Sequence, residues 1–176
     1  MRRTIENYKQ EKEKIIGFLE KNDNELPTPI SEFPLGIEGT ANLFSEKGKI
    51  IIAEIGEEIV GLLGLTFGEP SKNYENPEIG YIYLTIFNEK DRRKKNMIIG
   101  LFKKLLEEME NRGIKTIRFK ADTTVEYNNN LYRKFAKLVC LQKNTQGIDC
   151  NLYETDVDQL YKSLFIENNF RPLLEK

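Results

Sequence analysis

Hydrophobic and polar positions alternate with two different periods along the chain, and the period changes several times between its ends. Apolar residues recur every three to four positions from about Thr4 to Lys21, which predicts an amphipathic helix, and a shorter helix is predicted around Ile37 to Ser45. Runs with a period of two, bounded by turn-forming residues, predict strands. The predicted strands lie near Lys49–Ile55, Glu58–Phe67, Glu78–Phe87, Ile114–Ala121, Val139–Lys143 and Ile148–Glu154.

The strongest helical pattern follows the third predicted strand. It places one apolar stripe opposite a charged face, and Gly113 follows as its C′ residue; the stripe contains Met97, Ile98, Leu101, Phe102, Leu105, Leu106 and Met109. Two later helices are predicted at Leu131–Leu138 and near Asp156–Glu167. The strand–helix–strand segment predicts a parallel, right-handed crossover, while the Gly56-Glu57 turn predicts an antiparallel hairpin. The fold class expected is therefore α/β (α+β), a mixed sheet with helices on both faces.

A basic turn, Arg92 to Asn96, separates the third predicted strand from this helix. The first N–H groups of a helix have no intrahelical acceptors, and they coincide with the positive end of the helix dipole. Such a point favours an anion, phosphate above all. The turn is therefore predicted to hold the diphosphate of a nucleotide-bearing cofactor.

Composition narrows the class of protein. Its length of 176 residues favours a single domain over residues 1–176. The chain has 27 Lys and Arg against 28 Asp and Glu, and this net charge of -1 argues against a general nucleic-acid binder. Because no run of about 18 apolar residues occurs, no membrane span is expected. The N-terminus has no secretory pattern, and two cysteines cannot form a disulfide scaffold, so a reduced cytoplasmic setting is expected. Cys140 and Cys150 are expected to be small core residues, and a single bridge between them is the alternative.

The chain contains no histidine. This excludes serine–histidine and cysteine–histidine nucleophile systems and most transition-metal sites, so no metal is expected. Any proton transfer must be performed by Glu, Asp, Tyr, Lys, Cys or water.

Three segments resemble the GNAT-type N-acetyltransferases, which transfer an acyl group from acyl-CoA to an amine. The hairpin KIIIAEIGEEIVGLLGL is similar to the central hairpin of that family, and YIYLTIFNEKDRRKKNMIIGLFKKLLEEMENRGIKTIRFKA resembles its strand–turn–helix–strand unit. The segment LYRKFAKL resembles the Tyr-x-Lys-x-Gly-Phe signature of the next helix. The resemblance covers roughly Lys49 to Glu154, and it implies a mostly antiparallel sheet whose one parallel pair of strands is splayed around an acyl-CoA cleft.

The basic turn departs from the family pattern, which is Arg/Gln-x-x-Gly-x-Gly/Ala. The matching stretch begins at Arg93, with Asn96 and Ile98 in place of the two glycines, and Ala136-Lys137 replaces Gly-Phe on the later helix. Asparagine tolerates a left-handed backbone better than most residues, so Asn96 is expected to stand in for the first glycine. Ile98 is expected to take ordinary helical geometry.

The resemblance implies a set of cofactor-binding residues. Backbone N–H groups near Leu84–Phe87 would polarise the thioester carbonyl, and N–H groups of the turn and the helix start would bind the diphosphate. The basic side chains could add contacts to phosphate, although a solvated turn is the simpler interpretation for each of them. The residues implied are Leu84, Ile86, Phe87, Arg93, Lys94, Lys95, Asn96, Met97, Ile98, Ile99, Gly100 and Asn129.

The resemblance also implies two catalytic residues. Tyr132 matches the tyrosine that protonates the departing CoA thiolate, and packing of its ring under the sheet is the alternative. Glu78 matches a carboxylate that accepts a proton from the ammonium, directly or through water, with a plain surface charge as the alternative. Glu54 is a weaker candidate base. The tyrosines that could line an acceptor pocket, or simply pack in the core, are Tyr74, Tyr81, Tyr83 and Tyr127.

The function expected is transfer of an acetyl group from acetyl-CoA to a primary amine of a small molecule or peptide. The sequence does not select the acceptor, and a homodimer is a candidate assembly because dimers are common among proteins of this kind. A non-catalytic protein of the same fold, binding CoA or a protein partner, is the first alternative. A module that binds RNA through the basic turn is the second, and the near-neutral net charge argues against it.

Overall fold

The computed structural model describes residues 1–91, 95–144 and 146–167. Its strands form one seven-stranded sheet in the order β1-β2-β3-β4-β5-β7-β6. The strands are β1 Arg2–Thr4, β2 Gly48–Ile55, β3 Glu58–Phe67, β4 Ile79–Phe87, β5 Thr116–Asp122, β6 Lys137–Lys143 and β7 Asp149–Asp156. The α-helices are α1 Tyr8–Lys21, α2 Gly36–Lys47, α3 Lys95–Asn111, α4 Glu126–Tyr132 and α5 Val157–Tyr161, and a π-helical turn, Lys162–Ile166, follows α5.

The directions of the strands confirm the predicted mixed sheet. The pairs β1–β2, β2–β3, β5–β7 and β7–β6 are antiparallel, whereas β4 and β5 are parallel and are joined along the chain by α3. The parallel ladder begins at Ile79 opposite Thr116 and includes Ile82 opposite Phe119.

The chain divides into two compact units, each made of two separate stretches. Unit 1 comprises Met1–Thr66 and Tyr83–Leu105, and unit 2 comprises Phe67–Ile82 and Leu106–Lys176. In unit 1, aliphatic side chains of α1, α2 and the strands pack around Phe44, whose ring lies where a Cβ on Gly64 would be. The expectation of a single domain over residues 1–176 stays a prediction.

The structure differs from the predicted elements in two segments, at the N-terminus and after α4. Arg2–Thr4 form strand β1 on the edge of β2, and the first helix begins only at Tyr8. The helix predicted at Leu131–Leu138 is wrong, since α4 ends at Tyr132 and Leu138 pairs with Tyr153 of β7. In each case pairing with a neighbouring strand decides the conformation of residues whose local pattern favours a helix or no regular structure.

Across residues 1–91, 95–144 and 146–167, no helix is both long and apolar enough to cross a bilayer.

Candidate active site

The end of β4 places three predicted cofactor-binding residues in unit 1. Leu84 and Ile86 point their side chains into the hydrophobic core, and the ring of Phe87 occupies the space that a Cβ on Gly61 would need. Since these side chains are used in packing, the backbone is the part of this segment that could contact an acyl group.

The first turn of helix α3 has backbone donors without intrahelical acceptors in the same unit. In a helix that begins at Lys95, the N–H groups of Lys95, Asn96 and Met97 lack intrahelical acceptors. The i→i−4 pattern directs the N–H groups of Ile99 and Gly100 to carbonyls within the helix, and the contacts of these two residues with a cofactor stay predictions. Ile98 has the ordinary helical geometry expected of it and is half-buried.

Asn96 does not take the left-handed conformation that its place in the motif suggested. It lies inside α3 and is not among the described residues with positive φ. Its carbonyl instead accepts a hydrogen bond of 2.8 Å from Nη2 of Arg2, which also lies 3.2 Å from the sulfur of Met97. Gly100 makes this approach possible, because a Cβ there would overlap the guanidinium. Arg2 thus brings a positive charge to the first turns of α3, and no local sequence pattern indicated it.

Asn88 is the second residue that the sequence did not single out. It follows β4 directly, it is 4% exposed, and its N–H donates to the carbonyl of Val60 at 3.0 Å. Within the described part of the chain, neither polar atom of its side-chain amide has a hydrogen-bond partner. A buried amide left in this way is costly in free energy, which points to a ligand group as its partner. The sequence contains one signal that could have identified Asn88, because it is a polar residue directly after an apolar strand.

The basic turn itself lies mostly outside the described residues. Arg92, Arg93 and Lys94 belong to the gap, and for Lys95 the backbone alone is described. Contacts of these side chains with phosphate therefore stay predictions.

Tyr132 lies at the end of α4 in unit 2, within an aromatic cluster. Its ring centroid is 4.6 Å from that of Phe119, 5.6 Å from Tyr153 and 6.0 Å from Phe135. Burial raises the pKa of Tyr132 to about 12. The hydroxyl therefore stays protonated at neutral pH, so it can act as an acid and is a poor base. Tyr132 can therefore pack its ring in this cluster and still donate a proton from its hydroxyl.

Asn129 joins three elements of unit 2. Its side-chain nitrogen donates to the carbonyls of Asp122 and Val125 at 2.8 and 2.9 Å. Its oxygen accepts hydrogen bonds from Asn151 at 2.7 Å and from the Tyr153 hydroxyl at 2.9 Å. Both donors and both acceptor positions of the amide are thus used within the protein. The geometry gives this side chain a bracing role, and the cofactor contact of Asn129 that the resemblance implied stays a prediction.

The two candidate bases have different surroundings. Glu78 is exposed in the turn before β4, one residue outside the strand, and its N–H donates to Oδ1 of Asn76 at 3.2 Å. Glu54 on β2 is 5% exposed and forms ion pairs with Arg3 at 3.0 Å and Lys14 at 2.9 Å. The hydrogen bond from Arg3 lowers the pKa of Glu54 and makes it a weak base.

Glu54→Gln is expected to reduce the free energy of unfolding at neutral pH by about 1.5 kcal/mol, because Arg3 and Lys14 lose a buried partner. The lowered pKa of Glu54 means that its contribution is present above the unfolded pKa and is lost as pH falls through the folded value. The difference between wild type and variant should therefore narrow below about pH 4. Urea titrations across this range test the prediction, and Glu13→Gln, which removes an exposed carboxylate from the same helix as Lys14, is the control. A difference that is constant with pH would contradict it.

The candidate pocket tyrosines do not share one environment. Tyr83 packs against Phe44 and Phe33 in unit 1, whereas Tyr127 is 55% exposed on α4 in unit 2. Cys150 is buried as expected, but Cys140 is exposed on β6, which corrects its assignment to the core.

A polar network in unit 2 was not foreseen from the sequence. Arg118 on β5 forms ion pairs with Glu69, which is 3% exposed, and with Glu154 at 2.6 Å. Lys120, two residues further along β5, is half-buried, and burial lowers its pKa. Glu69 and Arg118 are far apart in the sequence, so no local pattern could predict this ion pair, and the sheet brings the two residues together.

Comparison with known proteins shows a clear likeness in structure. No family model matches the sequence, and no curated protein matches it. Among solved structures, an N-acetyltransferase from Staphylococcus aureus Mu50 is 18% identical with a TM-score of 0.62, and an acetyltransferase of the GNAT family from Streptococcus pneumoniae is 16% identical with a TM-score of 0.61. Each match covers 89% of this chain and 99% of the other.

The ribosomal-protein-S18-alanine N-acetyltransferase from Escherichia coli is a third neighbour. It is 10% identical with a TM-score of 0.64, and the match covers 89% of this chain and 94% of that one. At such identities the likeness concerns the fold. This chain has the fold of the GNAT-type N-acetyltransferases, as its resemblance in sequence implied.

Proposed function

We propose that this chain is a cytoplasmic N-acetyltransferase that moves an acetyl group from acetyl-CoA to a primary amine. Two neighbouring features carry the proposal: the N–H groups at the start of α3 that lack intrahelical acceptors, and the buried amide of Asn88 shortly before it, whose side chain has no hydrogen-bond partner among the described residues. This set of donors and acceptors fits a ligand that bears both phosphate and amide groups, as coenzyme A does. The fold supports the same assignment.

The residues of unit 1 would bind the coenzyme. The N–H groups of Lys95, Asn96 and Met97 would donate to the diphosphate, where the helix dipole and the guanidinium of Arg2 favour negative charge. Arg93 and Lys94 would add charge-assisted contacts. Backbone N–H groups of Leu84–Phe87 would stabilise the oxyanion that forms when the amine attacks the thioester carbon.

Two protons move in this reaction. The amine nitrogen forms a bond to the acyl carbon, the C–S bond breaks, and the sulfur leaves as a thiolate that takes a proton from an acid. The acylated nitrogen loses its extra proton, which restores the acid directly or through water. Tyr132 is proposed as the acid because its hydroxyl holds its proton at neutral pH. Glu78 or a water molecule is proposed to accept the proton that the ammonium group must lose before attack.

Tyr132→Phe is expected to lower kcat about tenfold, with little change in acetyl-CoA affinity, because the ring keeps its packing and water can supply the proton less efficiently. Steady-state kinetics and calorimetry measure the two quantities separately. Tyr127→Phe, on the exposed side of the same helix, is the matched control. Equal turnover by wild type and Tyr132→Phe would remove Tyr132 as the acid.

A non-catalytic protein of the same fold is the second candidate. The glycine-poor basic turn and the fully used side chain of Asn129 favour it, because both positions differ from what the resemblance implied for an active enzyme. Such a protein would sense CoA or bind a protein partner.

Calorimetric titration with acetyl-CoA, followed by an assay of thiol release with a panel of amines, separates these functions. Binding with turnover of a small amine, an amino sugar or a peptide N-terminus supports the enzyme. Binding without turnover supports a sensor, and no heat at millimolar acetyl-CoA contradicts coenzyme binding.

A further inference from the structure

Strand β6 in unit 2 has an unusually apolar and exposed surface. Leu138 is 46% exposed, Val139 is 43% exposed and Leu141 is 63% exposed, and Cys140 between them is exposed as well. Edge strands of stable monomers are commonly protected by charge, but here the lysines stand only at the two ends of the strand. Four consecutive exposed residues of this kind indicate a surface that another strand covers.

The backbone of β6 has hydrogen-bonding groups on the side away from β7. Among the described residues β6 is the last strand of the sheet, with β7 as its neighbour. Asn144 donates its N–H to Ile148, so alternation directs the N–H groups of Gln142 and Cys140 to β7 and that of Leu141 to the open edge. Val139 lies at a bulge and has no partner in the β7 register.

The sequence of β6 is nearly symmetric about Cys140. Reading KLVCLQK in both directions places Cys140 at the centre, Val139 opposite Leu141, Leu138 opposite Gln142, and a lysine at either end. An antiparallel pair of identical strands therefore matches the three central positions with apolar partners, Val139 with Leu141 and Cys140 with its copy, while Leu138 faces Gln142. Its two-fold axis would pass through Cys140, as an isologous interface requires.

Charge does not oppose such a pair. The terminal lysines would face each other across it, but Lys143 already forms an ion pair with Asp149 at 2.9 Å. Lys137 lies opposite Glu154 in the β7 register. Each facing pair of lysines would join Lys137 of one copy to Lys143 of the other, so one lysine of each pair has a carboxylate partner on its own chain.

We propose that two copies of this chain associate by antiparallel pairing of β6 with β6, centred on Cys140. The inference is independent of the proposed function, because it uses neither β4 nor α3. It places Cys140 opposite its copy as a non-hydrogen-bonded pair, whose Cα atoms are about 4.5 Å apart and within reach of a disulfide.

The test measures mass and cross-linking of the full chain. Light scattering across a micromolar to millimolar concentration series should give twice the 20.6 kDa of one chain for the wild type. Leu141→Pro removes an N–H from the open edge and leaves the β7 ladder intact, so it should give the mass of one chain. Leu141→Lys should do the same, while Leu35→Lys, a change at another exposed leucine, should leave the dimer unchanged.

Cross-linking tests the register. Mild oxidation with copper phenanthroline should give a covalent dimer joined Cys140 to Cys140, and Cys140→Ser should abolish it. Circular dichroism confirms that each variant is folded. A wild type that stays monomeric, as it would if another part of its own chain covers β6, overturns the proposal, and so does a dimer that survives both Leu141 substitutions.

Discussion

Replacing Asn96 with proline is expected to weaken acetyl-CoA binding by about 30- to 100-fold, which corresponds to the loss of roughly 2 to 3 kcal/mol of charge-assisted hydrogen bonding. Proline lacks an N–H and disfavours helical geometry in the residue before it, so Lys95 would leave the helix as well. The change falls in the first turn of α3, where proline does not disrupt the intrahelical ladder. Calorimetry with acetyl-CoA measures the effect.

Asn96→Ala is the matched control, because it removes the side chain and keeps the N–H. If the backbone binds the diphosphate, the alanine variant should bind acetyl-CoA as the wild type does. The carbonyl that accepts from Arg2 is present in both variants, so loss of that contact cannot explain a difference between them. Equal affinity of the proline variant and the wild type would contradict the role of α3, and equal weakening by both substitutions would assign the contact to the side chain.

Elements with a strong local pattern could be predicted from the sequence. The stripe from Met97 to Met109 gives α3, and the strand–helix–strand spacing gives the parallel β4–β5 pair, because a crossover permits few other arrangements. The β2–β3 hairpin follows from the Gly56-Glu57 turn, where Gly56 has a φ of 62°. In these segments, local preference and tertiary structure agree.

Elements that depend on a partner strand could not be predicted. Arg2–Thr4 have no strand pattern of their own, and their pairing with β2 decides their conformation. The segment from Leu131 to Leu138 has helical spacing, yet its last two residues pair with β7. The same limit applies to the site, since Arg2 reaches α3 and Arg118 reaches Glu69 only through the completed sheet.

The resemblance identified the region of the site better than the role of each residue. It indicated the β4–α3 connection, and there the structure adds Asn88, whose side-chain amide has no hydrogen-bond partner among the residues that the structure describes. It also gave Asn129, an amide whose hydrogen-bonding groups are all used. The two asparagines look equivalent in sequence, and only the count of their hydrogen bonds distinguishes a candidate ligand contact from a structural brace.

Asn129→Ala is accordingly expected to destabilise the fold without affecting coenzyme affinity. The substitution leaves the hydroxyl of fully buried Tyr153 and two backbone carbonyls without their partner, at a cost of about 3 kcal/mol. For a chain of this size the melting temperature should fall by roughly 6–12 °C. Asn130→Ala, at the exposed neighbouring position of α4, should leave the melting temperature unchanged.

Calorimetry well below the transition should give equal acetyl-CoA affinities for the wild type and both variants. If Asn129→Ala instead melts like the wild type and binds acetyl-CoA more weakly, the side chain is a coenzyme contact, as the resemblance implied, and the bracing role is wrong.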